Sequence, residues 1–145
     1  MGYIKIWIHL VWTTKDRQPI LLKEIRQTVF EHIRNNAKSK DIYIDFINGH
    51  AEHVHCLISL KSNQNIDKIL MLLKGESSFW INRNNLTQAK FEWQDEYFAV
   101  SVSESVVNKV RDYIKNQEVH HQKKSFMDEY NEFMQKYGFE KFVSG

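Results

Sequence analysis

The stretch IYIDFINGHAEHVHCLISL, residues 42–60, decides the fold of this chain. β-branched and aromatic residues dominate it on both sides of Asn48-Gly49, a dipeptide that is typical of tight hairpin turns. The pattern therefore predicts a β-hairpin with strands over 42–47 and 52–60. With the turn at Asn48-Gly49, the two strands would run antiparallel.

Two histidines stand in the second strand of this hairpin, with one residue between them. Successive strand side chains point to opposite faces, so His53 and His55 share one face while Val54 and Cys56 share the other. Two imidazoles on one face are what a shared metal ion requires. Two half-exposed histidines with ordinary hydrogen-bond partners would show the same spacing, so the pair alone leaves both interpretations open.

Strand and helix patterns alternate in the rest of the chain. Asn65 is a suitable cap for the second helix, and Ser103 or Ser105 for the third. The order of elements predicts an α+β fold of the ferredoxin-like or RRM-like class, an antiparallel sheet with helices packed on one face. Besides the hairpin, the predicted elements are strands over 3–14 and 96–102, and helices over 21–38, 65–84, 103 or 105 to 121, and 125–137.

Length and composition indicate one domain over residues 1–145, with 125–145 as a C-terminal helical tail. The formal net charge is only +2, so any DNA-binding surface must be local. The single cysteine, Cys56, excludes an internal disulfide and fits a reducing, cytoplasmic setting. No stretch approaches the ~20 consecutive apolar residues that span a bilayer, so no membrane association is expected.

The third predicted helix carries a second group of polar residues. Tyr113 and Gln117 are one helical turn apart and share a stripe with Lys109, so three polar groups line one surface. A tyrosine at such a position most often borders the core with its hydroxyl in water, and the spacing alone does not decide between that role and a chemical one.

The joint order of these segments resembles a known family. A His-hydrophobic-His strand is followed by LLKGESS over 72–78, YFAVSV over 97–102 and VRDYIKNQ over 110–117. This arrangement is similar to that of the single-tyrosine HUH transposases of minimal insertion sequences, the IS200-like TnpA type, and of their REP-associated relatives. The resemblance covers nearly the whole chain.

The resemblance implies a role for each matching residue. Tyr113 matches the nucleophile, and His53, His55 and Gln117 match the ligands of a divalent metal. Glu52 matches a position that is commonly acidic in the family. The implied activity is DNA transposition, in which single-stranded DNA is cut and rejoined through a covalent 5′-phosphotyrosine. The nitrogen and amide-oxygen ligands indicate Mg²⁺ or Mn²⁺ as the cofactor.

The implied partners are single-stranded DNA with hairpins at the element ends and a second copy of the chain. In the implied homodimer, each site combines the histidines of one chain with the tyrosine helix of the other. Lys109 and Lys115 are candidates for substrate binding, although a solvated helix face is the commoner role for such lysines. His9 and His50 match no functional position and are interpreted as structural.

Other interpretations remain open. A domesticated, non-catalytic protein that binds single-stranded DNA or RNA hairpins would preserve the same fold, although the Gly-aromatic strand signature of RNA-recognition domains is missing. A rolling-circle replication initiator typically has a lysine three residues after its tyrosine, where this chain has Asn116. A conjugative relaxase normally places the tyrosine ahead of the histidines.

Overall fold

The computed structural model describes residues 2–117 and four later positions, 128, 131, 132 and 135. The predicted tail helix over 125–137 lies outside the described residues, apart from these four positions. In the described part, the strands are β1 (Trp7–Thr14), β2 (Tyr43–Gly49), β3 (His53–Ser59) and β4 (Trp93–Val102), and the helices are α1 (Lys23–Ser39), α2 (Ile66–Arg83) and α3 (Val107–Lys115).

These strands form one antiparallel sheet in the order β2-β3-β1-β4. The chain order β1-α1-β2-β3-α2-β4 is that of the ferredoxin-like class. The predicted α+β class is therefore confirmed. β1 and β3 occupy the centre of the sheet and are buried along almost their whole length, so side chains on these two strands have fixed positions.

One face of the sheet packs against α1 and α2 and forms the main core. Alternate residues of β3 contribute to it, including Cys56, which is fully buried. Burial raises the pKa of the Cys56 thiol well above its ordinary value, because the thiolate would lose its hydration. Cys56 therefore faces away from the two histidines, as the strand alternation predicts.

The opposite face of the sheet packs against α3. Leu57 of β3 contacts Val110 and Ile114 of α3 in a second, smaller cluster that also includes Trp7. This placement corrects the expectation that the helices share one face. The physical reason is that β1 and β3 carry apolar side chains on both faces, so helices on one face alone would leave Trp7 and Leu57 in water.

The predicted hairpin is present, but the chain turns later than Asn48-Gly49. Both residues belong to β2 and pair with β3, and residues 50–52 form the connection. Gly49 is required by a close approach rather than by a turn, since a Cβ there would lie 2.1 Å from the carbonyl oxygen of His53. The dipeptide thus indicates a hairpin correctly, but Gly49 is needed for the close approach of β3 and not for a turn.

The helix caps follow the prediction in one case out of two. The Asn65 side chain accepts a hydrogen bond from the Lys68 N–H at 2.8 Å and caps α2. Neither Ser103 nor Ser105 caps α3 through its side chain. The two hydroxyls lie 3.2 Å apart, and a 3-10 turn over Glu104–Val106 precedes the helix. The predicted continuation of α3 to 121 extends beyond the described residues.

Two strands also begin at other residues than predicted. β1 begins at Trp7 instead of residue 3, because the strands on either side of it end opposite that residue. β4 begins at Trp93 instead of residue 96. The buried indole of Trp93 donates a hydrogen bond to the Ser77 hydroxyl at 2.9 Å. Within the described residues, no helix has the length and apolar character needed to cross a membrane.

Candidate active site

His53 and His55 lie side by side on the face of β3 that α3 covers. Their ring centroids are 5.0 Å apart, and the ring planes are nearly perpendicular, at 84°. Both side chains are buried, with 0% and 3% of their surface exposed. Because β3 has a strand on each side, the relative position of the two imidazoles is set by the sheet.

His53 has a polar partner at each ring nitrogen. Its Nδ1 lies 2.6 Å from Glu52 Oε1, and its Nε2 lies 2.9 Å from Gln117 Oε1. The Gln117 amide is oriented by its nitrogen, which donates to the carbonyl oxygen of Tyr113 at 3.2 Å. These contacts connect the hairpin to the C-terminal end of the tyrosine helix.

The atoms around His53 are suitable ligands for a hard divalent cation. If Nδ1 donates its proton to Glu52, a neutral His53 directs the lone pair of Nε2 toward the amide oxygen of Gln117. Two acceptors 2.9 Å apart repel each other unless a proton or a cation lies beside both. Neighbouring ligands in an octahedral shell with bonds of about 2.1 Å are about 3 Å apart. The spacing of the two acceptors therefore fits a shared cation.

His55 is engaged by a histidine from another strand. Its Nδ1 lies 2.9 Å from Nε2 of His9, in the middle of β1, and the two ring centroids are 5.1 Å apart. His9 is completely buried. The interaction occupies the Nδ1 side of His55, so a metal ligated by this ring would bind at Nε2.

Tyr113 completes the group from α3. It is partly buried against the smaller cluster that Trp7 and Leu57 form with α3. Its ring stands edge-on to His55, with the centroids 5.5 Å apart. The centroid distance to His9 is 6.3 Å. The phenol therefore lies beside the histidines and is not sealed inside the core.

Polar side chains of β2 hold α3 in this position. The Asn48 amide nitrogen donates to the carbonyl oxygens of Ile114 and Lys115, each at 3.1 Å. Arg111 donates through Nε and Nη2 to the two carboxylate oxygens of Asp45, at 2.6 and 2.9 Å. The hydrogen bond to Asp45 raises the pKa of Arg111, so the guanidinium stays charged. Strand β2 thus positions the helix that carries the phenol.

Comparison with known proteins identifies the family. The sequence model of the family described as "Transposase IS200 like" matches residues 3–117. The chain belongs to the IS200-like transposase family. It is 25% identical over 122 residues to the ISDra2 transposase TnpA of Deinococcus radiodurans, which covers 80% of this chain and 87% of that relative. It is also 25% identical over 115 residues to the IS200 transposase of Salmonella typhimurium, covering 75% of this chain and 74% of that protein.

Solved structures share the fold of this IS200-like transposase. A crystal structure of a transposase from D. radiodurans R1 has a TM-score of 0.65 at 24% identity, over 81% of this chain and 95% of that one. A REP-associated tyrosine transposase bound to a REP hairpin has a TM-score of 0.62 at 19% identity, over 83% of this chain and 72% of that one. The chain is therefore a transposase, a DNA-cleaving enzyme of mobile elements.

The structure of this transposase brings the four predicted site residues together. His53 contacts Gln117, His55 lies beside His53, and Tyr113 stands edge-on to His55. All four belong to one chain. The arrangement that the resemblance implies, in which the histidines meet the tyrosine helix of a second copy, stays a prediction.

The two candidate lysines lie on the same helix as Tyr113. Lys109 and Lys115 are exposed on α3. The described residues also contain no cluster of three or more His, Cys, Asp or Glu side chains arranged to hold a metal. The set described above includes only two such side chains at the candidate ligand positions, and an amide, that of Gln117, stands in the third.

Two residues that the sequence does not assign to the site support it, since His9 contacts His55 and Asn48 bonds to the backbone of α3. The sequence pattern indicates only a structural role for His9, although a polar side chain buried in the middle of an apolar central strand requires a partner. Asn48 was interpreted as a turn residue. Its contact with α3 depends on where the hairpin turns, so the sequence pattern carried no signal for it.

Proposed function

We propose that this transposase cuts and rejoins single-stranded DNA with Tyr113 as the nucleophile and a covalent 5′-phosphotyrosine as the intermediate. The observation that carries the proposal is the position of the phenol, whose ring centroid is 5.5 Å from that of His55. The adjacent contact between His53 and Gln117 supplies polar atoms that can bind an ion beside a phosphate.

The proposed step exchanges one phosphoester for another. The phenol oxygen of Tyr113 bonds to phosphorus as the phenol loses its proton, the bond from phosphorus to the 3′ oxygen breaks, and that oxygen takes up a proton. Bond energy is retained, so no ATP is consumed. A free phenol has a pKa of about 10, and roughly one in a thousand is ionised at neutral pH, so the step needs charge stabilisation.

A divalent cation fits the atoms that surround the phenol. Nε2 of His53, Nε2 of His55 and Oε1 of Gln117 would hold Mg²⁺ or Mn²⁺, which accept nitrogen and oxygen ligands in an open octahedral shell. Bound there, such an ion would polarise a phosphate oxygen and would offset the charge of the transition state. A closed tetrahedral zinc site would need a fourth protein ligand. Glu52 and His9 orient the two imidazoles from the other side.

The proposed substrate is single-stranded DNA that carries a hairpin at the element end. It is supported by the family and by a neighbour of the same fold that is bound to a REP hairpin. A homodimer also belongs to the proposal. Because Tyr113 lies against the histidines of its own chain, we propose that each subunit of that dimer assembles its site by itself.

A covalent-adduct assay with two tyrosine variants tests the nucleophile. Purified protein is mixed with labelled single-stranded element ends and Mg²⁺ or Mn²⁺, and the products are separated under denaturing conditions. Wild type and Tyr97→Phe are expected to form the adduct, since the Tyr97 hydroxyl bonds to Asp67 on α2 at 2.9 Å. Tyr113→Phe is expected to form none while still binding the hairpin. An adduct with Tyr113→Phe, or none with wild type, contradicts the proposal, and hairpin binding without cutting indicates a domesticated protein.

Mixing two inactive variants tests how the sites are assembled. Tyr113→Phe and His53→Ala chains are refolded together at equal amounts, so that mixed dimers form. Sites built within one chain stay inactive in every dimer. A site that combines the histidines of one chain with the tyrosine of another would recover cleavage in the mixed dimers, and such recovery would refute assembly within one chain.

A further inference from the structure

We propose that His9 is a positioning residue that sets the tautomer of His55. The Nε2 atom of His9 accepts the Nδ1 proton of His55, which places the lone pair of His55 on Nε2, the nitrogen that would ligate a divalent cation. The purpose of this arrangement rests on the proposed function. The tautomer itself can be measured without metal or DNA.

The first support is the geometry of the two rings. His9 Nε2 and His55 Nδ1 are 2.9 Å apart, the usual length of an N–H hydrogen bond. His9 has 0% and His55 has 3% of its surface exposed, so neither side chain can exchange this partner for bulk water. In addition, β1 has β3 on one side and β4 on the other, which fixes the backbone at His9.

The second support is the proton inventory of a neutral imidazole, which has one donor and one acceptor nitrogen. If His55 ligates a cation through Nε2, its proton must be on Nδ1, and the atom facing that proton must be an acceptor. His9 Nε2 is that atom. The reverse bond, with His9 donating, would place the His55 proton on Nε2 and block the ligand position.

The third support is the parallel with His53. There the Nδ1 atom faces Glu52 Oε1 at 2.6 Å, and Nε2 faces Gln117. Both histidines of the pair thus have Nδ1 engaged by a buried partner, and both present Nε2. A hydrogen-bonded partner behind a metal-binding histidine is the common way in which proteins fix its ring and raise its basicity.

The chemistry of the side chains provides a matched pair of variants. In His9→Gln the amide oxygen is as many bonds from Cα as the histidine Nε2, so the acceptor is kept. In His9→Asn the side chain is one bond shorter and does not reach His55, although it stays polar. His32→Leu is the control for loss of a histidine elsewhere, since His32 stacks on Trp80 and bonds to Glu76 on the helical side.

Two measurements test the proposal, both without DNA. Nitrogen-15 NMR of the metal-free protein at about pH 8, where a free imidazole is neutral, reports the tautomer of His55. Wild type and His9→Gln are expected to show the Nδ1–H form, and His9→Asn to lose it. Titration with Mn²⁺, followed by the EPR signal of the free ion, should give a Kd that rises about 10- to 100-fold in His9→Asn. The Kd should stay within about 3-fold of wild type in His9→Gln and His32→Leu, whose ligands and Nδ1 acceptor are retained.

The outcomes separate this inference from the proposed function. An Nε2–H tautomer in wild type overturns the role of His9, and so does a normal tautomer together with a normal Kd in folded His9→Asn. If His9→Asn does not fold, the tautomer of the wild type and of His9→Gln still decides. If the tautomer is as expected but no Mn²⁺ binds, or no covalent adduct forms, the proposed metal or nucleophile role fails while the positioning by His9 stands.

Discussion

Replacing Asn48 with alanine tests whether β2 holds the tyrosine helix in place. The Asn48 amide donates to the carbonyl oxygens of Ile114 and Lys115, each at 3.1 Å. A hydrogen bond contributes about 0.5–1.5 kcal/mol net, so the loss of both weakens the docking of α3 by about 1–3 kcal/mol. Since about 1.4 kcal/mol is a factor of ten, the equilibrium constant for docking falls about 5- to 140-fold.

Asn48→Asp gives a sharper version of the same test. The aspartate has nearly the same shape, but it cannot donate, and its negative charge faces two carbonyl oxygens at the C-terminal end of a helix. A charge of that sign costs about a further 0.3–1 kcal/mol there. Asn48→Asp should therefore weaken docking more than Asn48→Ala does.

Asn82 provides the matched control for these variants. Its side chain also makes two hydrogen bonds, to the carbonyl oxygen and the N–H of Phe91 at 3.0 and 2.7 Å, between α2 and the segment before β4. Asn48→Ala and Asn82→Ala should lose similar free energy of unfolding in urea. Only the Asn48 variants should slow the formation of the covalent adduct by the folded protein. A wild-type rate for Asn48→Ala, or an equal slowing for Asn82→Ala, would refute the positioning role.

Three further predictions follow from the described contacts. Glu52→Ala should raise the Kd for Mn²⁺ by about 10- to 100-fold in calorimetric titration, because His53 loses the partner of Nδ1; an unchanged Kd would contradict that role. Cys56 should react with a thiol reagent only as fast as the protein unfolds, since it is fully buried and burial raises its thiol pKa; rapid labelling of the native state would show that the main core is open. The hydrogen bond from Lys15 lowers the pKa of Glu92 in the folded protein below the ordinary 4.5. The pair therefore stabilises the folded state above pH 4.5, and this contribution disappears as the pH falls through the pKa of Glu92 in the folded protein. In urea unfolding across this range, Lys15→Met should reduce the acid dependence, whereas an identical pH profile would show that the exposed pair contributes nothing.

The periodicity of the sequence was sufficient to predict the sheet and its class. Strand alternation placed His53 and His55 on one face and Cys56 on the other, because a period of two holds wherever a strand is paired on both sides. The resemblance to the transposases then selected Tyr113 from the polar residues of α3 and Gln117 from the segment that follows it. The structure brings both of them to the histidines.

The features that could not be predicted depend on contacts between distant segments. The face on which α3 packs depends on how much apolar surface β1 and β3 leave uncovered, and α3 alone does not specify it. The roles of His9 and Asn48 depend on strand register, which sets their partners 46 and 66 positions away. Composition and local spacing carry no information about such pairs.

His53 and Gln117 are in contact in the folded protein, but they leave the ribosome at different times. These residues are 64 positions apart, so at about 5–20 residues per second the hairpin emerges about 3–13 s before the glutamine. In any translation product that stops before α3, the chain has both imidazoles but lacks Tyr113. If Tyr113 is the nucleophile, as we propose, incomplete copies of this transposase are unable to form the covalent adduct with DNA.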